Sequence, residues 1–267
     1  GYTSPPQVWI AAGLDVLDVA AGDGHSLVLM SDGSVYACGR NTSGQLGDKT
    51  TVSRSTPVKV VFSDSALIRS VGAGADHSLA VSTLGKVYTW GLNTAGQLGL
   101  TTATVNSLIA AKFATATMVR TPAEVTDLSG KVAASASGGR AHSLVSVRES
   151  TGWKVYALGA NHRVQVGKST PSPGLTSSVP VVADAGAMGG ATVSRVLASG
   201  DSSYAIGGLT IFEPLSSLAF LPVNMSGSLL SANPLVAKAG AGGRVGLEGS
   251  VGGLATSNGS VTVGVTS

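Results

Sequence analysis

Three of the four histidines in this chain recur at one position of a repeated segment. His25, His77 and His142 each stand in a G-x-x-H-S-L sequence. A neutral imidazole can act as a general base or bind a metal ion. A catalytic or metal-binding group is normally needed once, whereas a structural group is needed in every repeat, and no Cys or carboxylate accompanies these histidines at ligand spacing. We therefore interpret them as structural, with a ring nitrogen bonded to a backbone group, and predict no catalytic residue and no metal site.

Two further segments resemble functional sites. Cys38, the only cysteine, stands where the next two repeats have Trp90 and Leu158, so we interpret it as a small buried hydrophobe. The Gly-Lys-Ser sequence at 167–169 resembles the end of a phosphate-binding loop, but that motif requires a glycine at the position of His162. We therefore predict no bound nucleotide or other cofactor.

The histidines belong to a repeat with a period near fifty residues. Residues 22–47 read GDGHSLVLMSDGSVYACGRNTSGQLG, and residues 74–99 read GADHSLAVSTLGKVYTWGLNTAGQLG. In both copies the histidine precedes the glutamine of the final G-Q-L-G by 20 residues. A looser third copy occupies residues 139–167. Self-similarity at such a period indicates a repeat architecture.

Each copy has the pattern of a β-meander. The apolar runs SLVLMS and VYACG are separated by a turn at 31–34. Both faces of the first run are apolar, since Leu27 and Leu29 point one way and Val28 and Met30 point the other. A strand covered on both faces needs a sheet on each side, which the stacked blades of a propeller provide. The pattern therefore predicts an all-β protein of the β-propeller class.

The motifs G-x-x-H-S-L, V-Y-x-x-G and N-x-x-G-Q-L-G, in that order, resemble the repeat of the RCC1 (regulator of chromosome condensation) family. The resemblance covers residues 16–182 well. It implies a β-propeller of RCC1-like blades, and the family closes with seven. Repeat-equivalent positions near 25, 77, 142, 203 and 251 predict about five blades in this chain.

We divide the single predicted domain, 1–267, by these repeats. A tail of a preceding blade, three clear repeats and a region of degenerate blades occupy 1–18, 19–57, 58–122, 123–180 and 181–267. In the fourth copy, VSRVLASGDSSYAI at 193–206, we place Ser203 at the histidine position. A fainter fifth copy is LATSNGSVTVG at 254–264.

The second repeat is longer than the first because residues enter after its G-Q-L-G sequence. Gln97 to Thr121 spans 24 residues, where the equivalent stretch of the first repeat spans 11. We expect segment 100–120 to form a long exposed loop that can hold one short helix. Because the first repeat lacks these residues, we expect that core packing does not need them. The segment carries four apolar residues that a solvated loop would not favour, Leu108, Ile109, Phe113 and Met118.

Loops held on rigid scaffolds are frequent binding sites. We therefore predict that these four apolar residues bind a protein partner. The alternative is an inert surface excursion folded back on its own blade. Because about five blades leave a seven-bladed ring incomplete, we expect the missing sector either to be filled by further sequence or to be a second partner surface at the edge of the propeller.

Composition narrows the class of partner. The net charge is +3, from 17 basic and 14 acidic residues that are scattered along the chain, so there is no strong nucleic-acid signal. No apolar run approaches the length of a transmembrane segment. The low charge suits an organellar or extracytoplasmic protein as well as a cytosolic one, so the sequence predicts no compartment. The chain begins at Gly1 without Met, and we expect it to be processed or part of a longer product.

Three functions remain in order of preference. The first is a non-enzymatic scaffold for protein–protein interaction, which includes the role of a subunit in a larger assembly. The second is a guanine-nucleotide exchange factor for a Ras-like small GTPase, which the resemblance implies through the founding member of the family; no motif here carries over its exchange residues. The third is an enzyme with a site at the mouth of the propeller channel.

Overall fold

The computed structural model describes residues 13–150, 152–163, 165–166, 176–182, 192–208, 218–220, 235–240, 244–249 and 259–264. Within these ranges the chain is almost wholly β-structure, with eighteen strands in five antiparallel sheets and one α-helix. The prediction of an all-β fold with about five blades is confirmed. The α-helix of this described part has 9 residues, which is too short to span a membrane.

Blade one is a four-stranded meander. Its strands are β1 (Val16–Ala21), β2 (His25–Met30), β3 (Val35–Gly39) and β4 (Arg54–Lys59). They pair in chain order, as short connections require. The β2–β3 turn is held by Asp32, whose Oδ1 accepts hydrogen bonds from the Ser34 backbone N–H at 2.9 Å and from the Ser34 hydroxyl at 2.6 Å. Strand β1 starts within the segment 1–18 that the repeat pattern assigned to a preceding blade.

Blades two and three repeat this meander. Blade two contains β5 (Ile68–Ala73), β6 (His77–Ser82), β7 (Val87–Leu92) and β8 (Met118–Glu124), with helix α1 (Thr102–Ala110) between β7 and β8. Blade three contains β9 (Val132–Gly138), β10 (His142–Glu149), β11 (Gly152–Ala160) and β12 (Thr176–Val182). A 3₁₀ turn at Thr126–Leu128 links the two blades.

Two more sheets follow in the described part of the chain. One pairs β13 (Thr192–Ser199) with β14 (Ser202–Gly208), and the other contains β15 (Leu218–Phe220), β16 (Leu235–Gly240), β17 (Arg244–Gly249) and β18 (Gly259–Gly264). Strand β18 falls in the predicted fifth copy. The Gly-Lys-Ser sequence at 167–169 and the repeat position at 251 lie outside the described residues.

The hydrophobic cores lie between neighbouring blades. The first strands β1, β5, β9 and β13 pack side by side, so consecutive sheets stack face to face. Leu27 and Leu29 of blade one share a core with Trp90 of blade two, while Leu79 and Val81 on the other face of blade two pack in the core shared with blade three. Fully burying each such side chain contributes about 1.5–3 kcal/mol. A blade is therefore stabilised mainly by the blades on its two sides.

Candidate functional site

The segment 100–120, called the insertion, folds into a capped helix followed by the start of a strand. Thr101 is the N-cap of α1, and its side-chain oxygen accepts a hydrogen bond from the Thr104 backbone N–H at 3.2 Å. Such a cap satisfies one of the free N–H groups in the first helical turn. The predicted loop thus contains its short helix, and Met118 begins strand β8.

The helix ends at a lysine with a left-handed backbone. After the C-cap Ala111, Lys112 has φ +61°. Its N–H donates to the Ile109 carbonyl at 2.9 Å, and the Phe113 N–H donates to the Leu108 carbonyl at 2.8 Å. This hydrogen-bond pair is the Schellman motif, in which the left-handed position is usually glycine. A side chain there costs about 1–2 kcal/mol through the crowding of its Cβ.

The insertion is anchored by buried residues of its own. Leu100 and Ala114 are buried in the core between blades two and three, and Val105 and Leu108 pack partly against it. The expectation that core packing does not need the insertion is wrong, because the same core that holds β6 and β7 also receives apolar side chains from α1 and its flanks. The helix is therefore anchored on blade two by its two flanks and by Val105 and Leu108.

The insertion also contacts blade one. The Lys49 N–H donates to the Arg120 carbonyl at 2.8 Å, and the Lys49 Nζ lies 5.1 Å from the centroid of the Phe113 ring. The Arg120 guanidinium donates to the Lys112 carbonyl. The stem of Arg120 covers Gly44, which has φ +76°; a Cβ there would lie 2.7 Å from the Arg120 Cγ. Blade one and the insertion thus form one continuous surface.

The structure distributes the four predicted binding residues unequally. Ile109 is the most exposed, at 40%. Phe113 is half-buried beneath Lys49, Leu108 is half-buried against the core, and Met118 is half-buried opposite Leu92 in the sheet. Ile109 and Phe113 are therefore the two that remain suited to binding, and that role stays a prediction.

Sequence reasoning missed the basic residues around Phe113. Lys49, Lys112 and Arg120 come from two different repeats, and no run of cations marks them in the chain. The signal that could have indicated them is the lysine that follows the helix where glycine is usual. We call the surface formed by Lys49, Ile109, Lys112, Phe113 and Arg120 the insertion surface.

The repeated histidines link neighbouring blades. Each Nε2 lies against a serine hydroxyl of the next blade, in the pairs His25–Ser78, His77–Ser143 and His142–Ser203, at 2.9, 2.8 and 2.9 Å. Each of these serines donates its proton to the carbonyl of a glutamine in the blade before, Gln45, Gln97 and Gln165, at 2.8, 2.8 and 2.5 Å. A hydroxyl has one proton to donate, so each Nε2 must be the donor to its serine. The histidines are structural, but their partner is a side chain instead of the predicted backbone group.

The histidine rings are held in the neutral form. Burial lowers the pKa of His25 to about 4 and that of His77 to about 3, and it also lowers the pKa of His142. None of the three Nδ1 atoms has a hydrogen-bond partner within the described ranges. The preceding glycine makes room for the ring, since a Cβ on Gly74 would lie 2.1 Å from the His77 Cε1. A buried imidazole whose Nε2 is hydrogen-bonded to a serine is poorly placed for catalysis.

The strand register corrects one assignment in the fourth blade. Ser203 lies opposite Ala198, as Ser78 lies opposite Ala73 in blade two. Ser203 also receives His142, which is the role of the serine in each repeat. The histidine position is therefore Ser202, and the predicted placement at Ser203 is wrong by one residue. The fourth blade has no histidine at this position.

The predicted channel mouth contains little that could perform catalysis. A depression of about 200 Å³ is lined by three residues from each of four blades, mostly small ones, at 21–23, 73–75, 138–140 and 198–200. In the described part of the chain no group of three or more His, Cys, Asp or Glu residues could hold a metal ion. Cys38 is half-buried, and burial raises the pKa of its thiol. The insertion surface is thus the stronger candidate site.

Comparison with family models identifies the repeats. A model described as the regulator of chromosome condensation (RCC1) repeat matches residues 32–81 and 85–146. A second model of the same repeat matches residues 16–45 and 68–97. The first model therefore falls on blades one to three, and the second falls on blades one and two.

Individual proteins also resemble the chain. The probable E3 ubiquitin-protein ligase HERC6 of Homo sapiens is 29% identical over 194 residues, which cover 73% of this chain and 17% of HERC6. The structure of Prp20p from Saccharomyces cerevisiae gives a TM-score of 0.59 at 22% identity, covering 69% of this chain and 42% of Prp20p. The structure of human WBSCR16 gives a TM-score of 0.57 at 22% identity, covering 91% of this chain and 50% of WBSCR16.

The chain spans less than a fifth of HERC6 and half or less of the two solved structures. At these identities the two structures show a shared fold, and they confirm the predicted β-propeller class. The two repeat models therefore show that residues 16–146, which form blade one, blade two and the start of blade three, carry RCC1 repeats.

Proposed function

We propose that this chain is a non-enzymatic scaffold for protein–protein interaction, and that the insertion surface is a docking site for a protein partner. The observation that carries the proposal is the presentation of a helix that is capped and anchored at its flanks. Helix α1 is capped at both ends and anchored by Leu100 and Ala114, yet it leaves Ile109 exposed. A preorganised apolar surface lowers the entropic cost of binding.

The comparisons support protein partners in general. For Prp20p, binding properties to Gsp1p and histones are described, and a further crystal structure shows Kap60 bound to yeast RCC1 (Prp20). HERC6 is named as a probable E3 ubiquitin-protein ligase, but this chain matches only 17% of its length. Ligase activity is therefore no part of the proposal.

A second docking site in the proposal is the outer face of blade one, which is the predicted propeller edge. Val28, Tyr36 and Cys38 on this face are half-buried, and Leu17 and Val19 of β1 are exposed. The residues equivalent to the first three in blade two are Ala80, Tyr88 and Trp90, all of which are buried against blade one. An apolar sheet face with this composition is stabilised when another sheet covers it.

The test separates binding from folding. A purified partner is first identified by affinity capture with the wild-type chain, and its affinity is then measured by calorimetry. We expect the double variant Ile109→Asn, Phe113→Ala to bind much more weakly with little change in melting temperature, because neither residue belongs to a buried core cluster. Leu84→Asn is the matched control, since Leu84 is 80% exposed on the β6–β7 turn.

Unchanged affinity in the Ile109/Phe113 variant would remove the insertion surface from the proposal. A second assay tests the exchange-factor alternative by following release of fluorescent GDP from Ras-like small GTPases. Catalysed release by the wild-type chain would replace the scaffold function with nucleotide exchange. We expect no acceleration.

A further inference from the structure

We propose that the partner segment recognised by the insertion surface is an acidic peptide segment of a protein, with carboxylates around an apolar side chain that packs near Phe113. This inference rests on the proposed function, because it names the partner chemistry of the same surface. Three features of the surface support it, namely its charge, its contacts and its backbone geometry.

The insertion surface carries three cations without a counter-ion. Lys49, Lys112 and Arg120 form no ion pair with any residue in the described ranges. Helix α1 has no acidic residue in its first turn and no basic residue in its last turn. The uncompensated positive charge therefore attracts carboxylates from outside the chain.

The nearest carboxylate in sequence is already occupied. The Asp48 side chain is only 8% exposed, and its Oδ2 accepts two hydrogen bonds from Arg54, at 3.1 and 3.0 Å. Its Oδ1 accepts from the Asn41 side chain at 2.9 Å and from Thr50. Asp48 is thus held inside the blade-one corner and is not available to neutralise Lys49.

The three cations and the aromatic ring are held as one unit. Lys49 lies over Phe113, the Lys49 N–H donates to the Arg120 carbonyl, and the Arg120 guanidinium donates to the Lys112 carbonyl. The Arg120 N–H in turn donates to the Phe113 carbonyl at 2.8 Å. Three cationic residues from blade one and from the insertion are therefore held together beside one half-buried phenyl ring.

Both lysines occupy backbone conformations that disfavour a side chain. Lys49 has φ +67° and Lys112 has φ +61°, and in the described part of the chain only one other non-glycine residue, Ser65, has a positive φ. Glycine would adopt either conformation without strain. Strained backbone of this kind is concentrated at functional sites. Each of the two lysines therefore costs stability relative to glycine, and both positions belong to the insertion surface.

The mixture of charge and apolar surface favours a protein over a nucleic acid. Nucleic-acid binding depends on a row of cations that neutralise several phosphates, whereas this surface has three cations beside an uncharged helix with an exposed Ile109. Carboxylates form strong charge-assisted hydrogen bonds with Lys and Arg. The carboxylates of an acidic segment can pair with the three cations, and an apolar side chain of the same segment can pack on the apolar part of the surface.

The test replaces both lysines by glycine. Lys49→Gly, Lys112→Gly removes two charges and keeps the backbone hydrogen bonds of both positions, and glycine accepts both φ values. The matched control, Lys59→Ala, Arg148→Ala, removes two exposed cations that form no ion pair within the described ranges. Melting temperatures establish that both variants are folded.

The probe is a fluorescein-labelled glutamate-rich peptide with one central leucine, compared with its glutamine counterpart by fluorescence anisotropy. We expect the glutamate peptide to bind the wild-type chain and the control equally, and the double-glycine variant about tenfold more weakly. We expect the glutamine peptide to bind weakly to all three. Added salt should reduce the binding of the glutamate peptide to the wild-type chain.

Equal binding of the glutamate peptide to the wild-type chain and the double-glycine variant would overturn the inference. Tighter binding of a duplex DNA oligonucleotide than of the peptide, with the same loss in the double-glycine variant, would overturn it in favour of a nucleic acid. A captured partner that depends on Ile109 and Phe113 but not on the lysines would leave the scaffold proposal standing and remove the acidic partner. A partner that depends on none of them would remove the scaffold proposal itself.

Discussion

Blades one and two share the same strands, histidine and G-Q-L-G sequence, yet corresponding residues differ in burial. Trp90 of blade two is fully buried, and its Nε1 donates to the Gln45 carbonyl at 2.9 Å. Cys38, at the same position of blade one, is only half-buried. Blade one covers one face of blade two. Within the described ranges, no core covers the equivalent face of blade one. The repeat sequence therefore determines where a strand forms. The neighbouring blade determines how far its side chains are buried and how much they stabilise the fold.

The two blades also differ after the G-Q-L-G sequence. Blade one closes its corner with the hydrogen bonds of Asp48 to Asn41, Thr50 and Arg54. Blade two has Leu100 at the position of Asp48, and Leu100 is buried in the core below α1. The entropic cost of a longer loop rises slowly with length, and the burial of Leu100 at the start of the connection offsets part of that cost. The difference explains why the extra helix is accommodated on blade two.

The largest expected effect tests the difference between Trp90 and Cys38. Trp90→Ala should lower the free energy of unfolding by about 3–5 kcal/mol, because it leaves a large cavity between the blades. Cys38→Ala should cost less than about 1 kcal/mol, because Cys38 is half-buried and smaller. Denaturant unfolding of both variants provides the measurement. Similar losses at the two positions would show that blade one is covered as completely as blade two.

Acid should destabilise the links between blades. The folded pKa values of His25 and His77, about 4 and 3, lie below the ordinary value of 6.5. As the pH falls, these histidines bind protons in the unfolded chain before they do so in the folded chain. The stability that they contribute is therefore fully present above pH 6.5 and is lost as the pH drops toward 4 for His25 and toward 3 for His77. The loss is about 3 kcal/mol or more for each.

Melting temperatures of the wild-type chain and His77→Gln between pH 7 and pH 5 provide the measurement, because most carboxylates remain ionised in that range. We expect a shallower decline in the variant. An identical decline in both proteins would mean that His77 does not contribute to the acid sensitivity.

Replacing equivalent serines should cost more stability in blade two than in blade one, as for Trp90 and Cys38. Ser78→Ala should cost about 1–3 kcal/mol, because it leaves the buried Nε2–H of His25 unpaired. Ser26 is the equivalent residue of blade one and has no hydrogen-bonded side-chain partner in the described ranges, so Ser26→Ala should change stability little. Unfolding free energies of the two variants test this. A loss at Ser26 as large as that at Ser78 would contradict an open face on blade one.

The smallest expected effect concerns two tyrosines at the same strand position. The Tyr88 hydroxyl donates to the Asp64 Oδ2 at 2.6 Å, and Tyr88 is buried apart from this contact. Tyr88→Phe should therefore cost about 1 kcal/mol. The corresponding Tyr36→Phe in blade one should be nearly neutral, since Tyr36 is half-exposed. Thermal unfolding resolves the difference, and equal melting temperatures for the two variants would contradict it.

The sequence by itself determined the meander and the repeat, because both depend on local features. Short apolar runs, turn residues such as Asp32 and the recurring glycines act within one blade. The same features carried the family resemblance, and they placed the extra residues of repeat two after the G-Q-L-G sequence. The sequence also indicated that a recurring histidine is structural, since a residue present in several repeats serves the repeat.

Tertiary structure decided what each repeated residue contacts, because those contacts join different blades. The partner of His25 is Ser78, 53 residues away, and the register that made Ser202 the fourth histidine position became visible only when the blades were paired. The cations Lys49 and Lys112 belong to different repeats and come together only where the insertion packs on the corner of blade one. No local sequence pattern predicts such contacts, because only the stacking of the blades brings these residues together.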